Sequence, residues 1–130
     1  MAEILFRGRR IDNGEWVEGD YGRFHGNDSH EIYISYPQIN ETYWNEIDPE
    51  TICEYINYED RDKAPIFTND IVEFSWYDQF WNSYHYVGCI YKGKGCYKIS
   101  TKNEVYYIDE SIDIDKVIGN KFDNAELLGK

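Results

Sequence analysis

The side chains able to do chemistry in this chain are few in kind and unevenly placed. Three histidines, His25, His30 and His85, are its side chains that titrate near neutrality. His25 and His30 bracket Asp28 in a glycine-containing loop, a set that could seat a metal ion, but no further ligand is implied and two loop histidines are the plainer reading. His85 stands between Tyr84 and Tyr86 in an expected strand and reads as a half-buried strand residue, not a general base. Cys53, Cys89 and Cys96 form an odd set with no C-x-x-C spacing, which argues against both a disulfide framework and a zinc site. Cys89 and Cys96 flank a Lys-Gly-Lys-Gly turn and are expected on one hairpin, as packed thiols. No nucleophile elbow, phosphate loop, zinc-protease helix or dinucleotide fingerprint occurs. Carboxylates are plentiful, yet nothing in the sequence selects a catalytic pair. The expectation is a protein without catalytic residues, metal or cofactor.

Binding chemistry is better represented. The stretch Trp76-Tyr77-x-x-Phe80-Trp81-x-x-Tyr84-x-Tyr86 places six aromatics in eleven residues, astride an expected turn at Asp78 to Ser83. Neighbours along a strand point to opposite faces, so at least one of Trp76 and Tyr77 must face away from the core. Aromatics at a loop beside acids have the make-up of an interface anchor, and core filling is the competing account. The acids are concentrated nearby: residues 41–78 carry eleven Asp and Glu against Arg61 and Lys63, a net charge of −9 out of −12 for the whole chain. A solvated face is the plain reading of that run. The functional reading is a surface for a basic partner, which would include Glu46, Asp48, Glu50 and Glu54 together with Trp76, Tyr77, Phe80, Trp81 and Tyr84. Direct nucleic-acid binding is disfavoured, since phosphate neutralisation needs a basic surface.

The bases form two small groups, Arg7, Arg9 and Arg10, and Lys92, Lys94, Lys98 and Lys102. Arg7 and Arg9 share a strand face. With an aromatic ring such as Trp16 they could cradle a small phosphate-bearing ligand, guanidinium forks on the phosphate and a ring on the base.

The elements that must hold these residues are strands. Thirteen Tyr and one Met, with 18% aromatic and 42% hydrophobic residues, suit pleated half-buried surfaces around a small core. Ile4 to Arg9 and Trp16 to Phe24 flank Asn13-Gly14, a type I′ hairpin signal, and Trp16 is expected to bury its ring. Glu31 to Tyr36 alternates, Pro37 to Asp48 reads as a long loop, and Thr51 to Ile56 is a short strand. Asp70 to Trp76, Tyr84 to Tyr91, Tyr97 to Thr101 and Glu104 to Ile108 form a meander that Val117 to Phe122 would close. Helical periodicity is absent except for single turns at Glu110 to Lys116 and Asn124 to Leu128. The fold class is all-β: residues 1–60 as an N-terminal hairpin or three-stranded unit with an acidic loop, packed on residues 61–130 as a small meander barrel. No apolar run is long enough to span a bilayer, and the first residues lack the order of a signal peptide, so a cytoplasmic protein is expected.

Three separated motifs carry a resemblance. They are Phe6-Arg7-Gly8-Arg9-Arg10 with Gly14, Trp16, Val17 and Gly19, then Asn69 to Phe74, then Val117 to Asn120 with Asp123 to Leu128. In this order and spacing the chain resembles the YopX family of phage and prophage proteins. The family usually has Gly where this chain has Asn69, and Asn also tolerates positive φ. The resemblance implies a phage accessory protein of the bacterial cytoplasm and names no activity. The expected function is stoichiometric: counter-defence or host takeover by occluding a basic, nucleic-acid-handling host protein through the acidic aromatic surface. The alternative is an oligomeric sponge holding a nucleotide signal through Arg7, Arg9 and Trp16. An enzyme acting on such a nucleotide is the third reading.

Overall fold

A computed structural model of the protein describes residues 5–23, 30–36 and 41–128. The chain divides into two compact units, Met1–Tyr55 and Ile56–Lys130. Strands β1 (Phe6–Arg9), β2 (Trp16–Arg23), β3 (His30–Tyr36), β4 (Glu41–Glu46) and the start of β5 (Cys53–Glu59) make up the first. The second contains the rest of β5, β6 (Pro65–Phe67), β7 (Asp70–Tyr77), β8 (Ser83–Gly93), β9 (Cys96–Ser100), β10 (Val105–Tyr107) and β11 (Ile112–Asn120). The class is all-β, with only short 3₁₀ turns at Pro49–Thr51 and Ala125–Leu127 among the described residues.

In the first unit the strands lie antiparallel in the order β4-β3-β2-β1-β5. Gly8 of β1 is buried because two isoleucines occupy the space above it: a Cβ there would stand 2.8 Å from Ile47 Cδ1 and 3.2 Å from Ile32 Cδ1. The β1–β2 turn is longer than type I′. Only Gly14 has positive φ (+74°), while Asn13 uses its side-chain oxygen to accept the Glu15 N–H at 2.9 Å. The stretch 37–48 is not a single loop, because β4 pairs with β3 from Glu41↔Tyr36 to Glu46↔Glu31. An edge strand needs only a hydrogen-bonded neighbour, so its own alternation can be too weak to read.

In the second unit the sheet order is β10-β9-β8-β7-β11, again antiparallel. The meander β7 to β10 runs as expected, and the last strand returns beside β7. Among the described residues β10 and β11 do not pair, so the sheet is open, not a closed barrel. Residues 110–116 hold no helical turn: Ile112 and Ile114 point inward from β11 and join a core with Ile56, Ile66, Val72, Phe74, Ile90 and Ile99. Register shifts after Ile114 and after Val117 leave Asp115 and Ile118 as extra residues, which breaks the alternation and hid the strand's start from the sequence. Cys89 faces Ser100 and Cys96 faces Gly93, so the two are not cross-strand partners, and all three cysteines are thiols outside any disulfide.

Candidate functional site

The turn between β7 and β8 is built by one aspartate. Asp78 Oδ1 accepts the backbone N–H of Phe80 (2.8 Å) and Asn82 (3.0 Å), and its main chain closes the loop with Asp78 N–H to Asn82 O (3.1 Å) and Trp81 N–H to Asp78 O (3.0 Å). The other oxygen, Oδ2, takes Asn82 Nδ2 at 3.2 Å and the Tyr84 hydroxyl at 3.3 Å. Partial burial alone would raise the Asp78 pKa, but the Asn82 and Phe80 amides outweigh it and hold the carboxyl below its ordinary value. The same device recurs at Asp60-Arg61-Asp62-Lys63-Ala64, where Asp60 Oδ1 accepts Asp62 N–H and Ala64 N–H, both at 2.9 Å. In each loop the fourth residue is left-handed, Lys63 at φ 68° and Trp81 at φ 64°. A bulky residue in that region is uncommon, since its Cβ crowds the backbone.

The aromatic stretch separates into two sets. Trp76, Tyr84 and Tyr86 join Phe74 and Tyr106 in a ladder that runs from the core, where Trp76 and Tyr106 pack, out to the exposed Tyr84 and Tyr86, with centroids 5.5 Å apart for Trp76–Tyr84 and for Tyr86–Tyr106. Phe74 supports it at 5.3 Å from Tyr106. Burial, then the neighbouring Tyr86 and Glu104, pushes the Tyr106 hydroxyl far above the ordinary tyrosine pKa. The second set points elsewhere. Tyr77 lies 6.1 Å from Trp81 with the rings at 54°, while Phe80 and Trp81 are 75% and 79% exposed at the loop tip. Tyr77, Asp78, Gln79, Trp81, Glu110 and Ser111 line an open cavity of about 350 Å³ beside that tip.

The acids expected to share this surface belong to the other unit. Glu46 ends β4 and is exposed, as is Glu50 in the 3₁₀ turn. Asp48 caps that turn through Oδ1 to the Glu50 N–H at 3.1 Å, and Glu54 is half-buried opposite Phe6. Glu110, which sequence reasoning did not single out, is the carboxylate that lines the aromatic cavity along with Asp78.

Arg7, Arg9 and Trp16 do come together. The two guanidinium carbons stand 5.3 and 5.0 Å from the Trp16 ring centroid. Trp16 is thus half-buried under arginines, not sunk in a core. His25 and Asp28 lie outside the described residues, and His30 is in β3. No cluster of three metal-ligating side chains occurs among the described residues.

His85 is exposed, and its partners, distant in the chain, were not legible in the sequence. Its Nδ1 lies 2.9 Å from Ser75 Oγ, which donates to Asp115 Oδ2 at 2.7 Å. Asp115 Oδ1 in turn sits 3.0 Å from Arg61 Nε as an ion pair. A hydroxyl has one proton, and Asp115 receives it, so His85 Nδ1 must be the protonated nitrogen. The serine stands between histidine and acid, is 1% exposed, and donates away from the imidazole. That order is wrong for an activated nucleophile and right for a clasp joining β8, β7 and the β11 bulge.

The motifs themselves build turns and close contacts. Asn69 adopts φ 74°, the conformation expected where Gly is usual; its N–H donates to Ile90 O (2.8 Å) and its carbonyl accepts Lys121 N–H (2.9 Å). Asp70 is buried and accepts the Phe67 N–H at 2.8 Å. At the end of β11, Asn120 Oδ1 takes the amides of Phe122 and Asp123, both at 3.0 Å, and Asn124 Oδ1 takes the Asn120 N–H at 3.2 Å. The middle and last motifs therefore form one junction, with Asp70 paired to Asn120. No helix among the described residues is long and apolar enough to cross a membrane. No curated protein and no solved structure matches the chain. The family model described as YopX protein matches residues 5–129, nearly all of the sequence. The chain belongs to the YopX family.

Proposed function

We propose that this protein is a phage-type binding protein that acts stoichiometrically in the bacterial cytoplasm, occluding a basic, nucleic-acid-handling host protein as a counter-defence or takeover device. The observation behind this reading is the β7–β8 tip: two large aromatics, 75% and 79% exposed, on a loop that Asp78 fastens. Rigid, exposed aromatics bury contact area at low entropic cost, which is what an interface anchor requires. The surplus of acid would steer a basic partner toward it. The reading is non-catalytic, and the clasped geometry of Ser75 supports it.

The test is capture of a partner from bacterial lysate followed by surface plasmon resonance. Association should slow as salt rises, because exposed charges are screened beyond about 8–10 Å at physiological ionic strength. Trp81→Ala should raise the off-rate. Glu46→Lys with Glu50→Lys should lower the on-rate; Asp48 is left intact because it caps a turn. Salt-insensitive association by a partner indifferent to all three changes would sink the proposal.

A second reading rests on the Arg7–Trp16–Arg9 stack, which gathers two guanidinium groups about one aromatic ring, the group types that would hold the phosphate and base of a nucleotide signal. Isothermal titration with cyclic nucleotides and ADP-ribose derivatives tests it. No heat across the panel removes it, and so does binding that survives Arg7→Ala with Arg9→Ala.

A further inference from the structure

The cavity beside the loop tip has more chemistry than an apolar anchor needs. Its lining includes Tyr77 and Trp81, whose ring centroids stand 6.1 Å apart with the planes tilted by 54°. A cation seated in the cavity against both residues comes within about 6 Å of their ring centroids, the range over which the ring quadrupoles attract positive charge. The two carboxylates of the lining differ in availability. Asp78 is occupied by the loop's own amides and by Asn82 and Tyr84. Glu110 is exposed and makes no hydrogen bond or ion pair with a described residue.

The described cations that stand over rings do so elsewhere. Arg7 and Arg9 stand over Trp16, Lys98 over Tyr107, and Lys121 over Phe122. Among the described residues none stands over Tyr77 or Trp81. The Trp81 backbone is held at φ 64°, a conformational cost that Gly would not incur.

We infer that the cavity lined by Tyr77, Trp81 and Glu110 is a cage for the cationic head of an arginine or lysine side chain on a basic protein partner. The inference rests on the occlusion reading and specifies its point of contact. The aromatic faces supply sequence-tolerant attraction to the cation, and Glu110 supplies the counter-charge, bidentate toward a guanidinium. A neutral side chain of the same shape gains neither.

The experiment is a titration of the isotope-labelled full chain with the capped tripeptides Gly-Arg-Gly, Gly-Lys-Gly and Gly-citrulline-Gly, read by NMR. Tyr77, Trp81 and Glu110 signals should move with the first two and stay still with the citrulline peptide. Glu110→Gln, which leaves the loop's own bonding intact, should weaken the response about tenfold, as should Trp81→Ala. Glu126→Gln removes the same charge elsewhere and should change nothing. Equal shifts with citrulline, or no shift at the cavity with any peptide, overturn the cage. The parent reading fails separately. A captured host partner that needs Trp81 but binds Glu110→Gln unchanged, uncompeted by Gly-Arg-Gly, overturns the cage and leaves occlusion standing. Cavity shifts without any host protein bound through Trp81 overturn occlusion and leave the cation site.

Discussion

Asp60 and Val117, fifty-seven positions apart in the chain, meet where the buried Asp60 Oδ2 accepts the Val117 backbone N–H at 3.0 Å. The same carboxylate organises its own loop, so one side chain fixes a turn and docks it on the irregular part of β11, between its two register shifts.

Asp60→Ala removes the acceptor for three amides at once and should destabilise the protein by at least about 2 kcal/mol, since bonds to charged groups contribute about 1.5–3 kcal/mol each and do not add fully. Chemical denaturation of the two proteins measures it.

The pH dependence follows from the same group. Burial alone would raise the Asp60 pKa, but the Val117, Ala64 and Asp62 amides outweigh it and hold it below the ordinary carboxyl value. A depressed folded pKa means the contribution is complete above the unfolded value, about 3.9, and is lost as pH falls through the folded one. Melting temperatures taken from neutrality down to acid should therefore show the gap between wild type and Asp60→Ala narrowing below about pH 4. A constant gap would contradict this.

Gly8→Ala should cost about 1–3 kcal/mol by overpacking, because its Cβ would stand 2.8 Å from Ile47 Cδ1. Ile47→Val deletes that methyl group. The double variant should lose less than the sum of the single losses, and a denaturation double-mutant cycle gives the coupling. Strict additivity would mean the backbone yields instead.

Gly119→Ala is likewise constrained, since its Cβ would overlap the Asn124 side chain. It should break the Asn124–Asn120 bond and destabilise by about 1–3 kcal/mol. In an Asn124→Ala background the same change should be distinctly milder, as thermal melts of the four proteins will show.

Trp81→Gly should stabilise the fold by about 1 kcal/mol, because it relieves a left-handed residue whose ring is largely in solvent. It should at the same time abolish partner binding. A substitution that raises the melting temperature and removes binding would mark Trp81 as kept for contact, not for folding.

Much of this architecture follows from local sequence. The turn residues that bound Asp70 to Trp76 and Tyr84 to Tyr91 set the meander, and Asn69 announced its left-handed turn, because chain reversals and positive φ are short-range properties. Arg7 and Arg9 were legible as one face of a strand because the strand period is equally local. The strand Glu41–Glu46 was not, because its partner β3, not its own composition, makes it a strand. The tertiary structure alone decided which aromatics became core. Trp76 and Tyr77 are adjacent and chemically alike, yet one packs in the Phe74–Tyr106 ladder and the other turns to Trp81. It also decided the fate of the carboxylates: Asp60 and Asp78 are spent on backbone amides, Asp115 is clasped by Ser75, and Glu110 is left to line a cavity. Composition shows that acid is in surplus, but whether a given carboxylate is engaged depends on which distant donors the fold brings within hydrogen-bond reach.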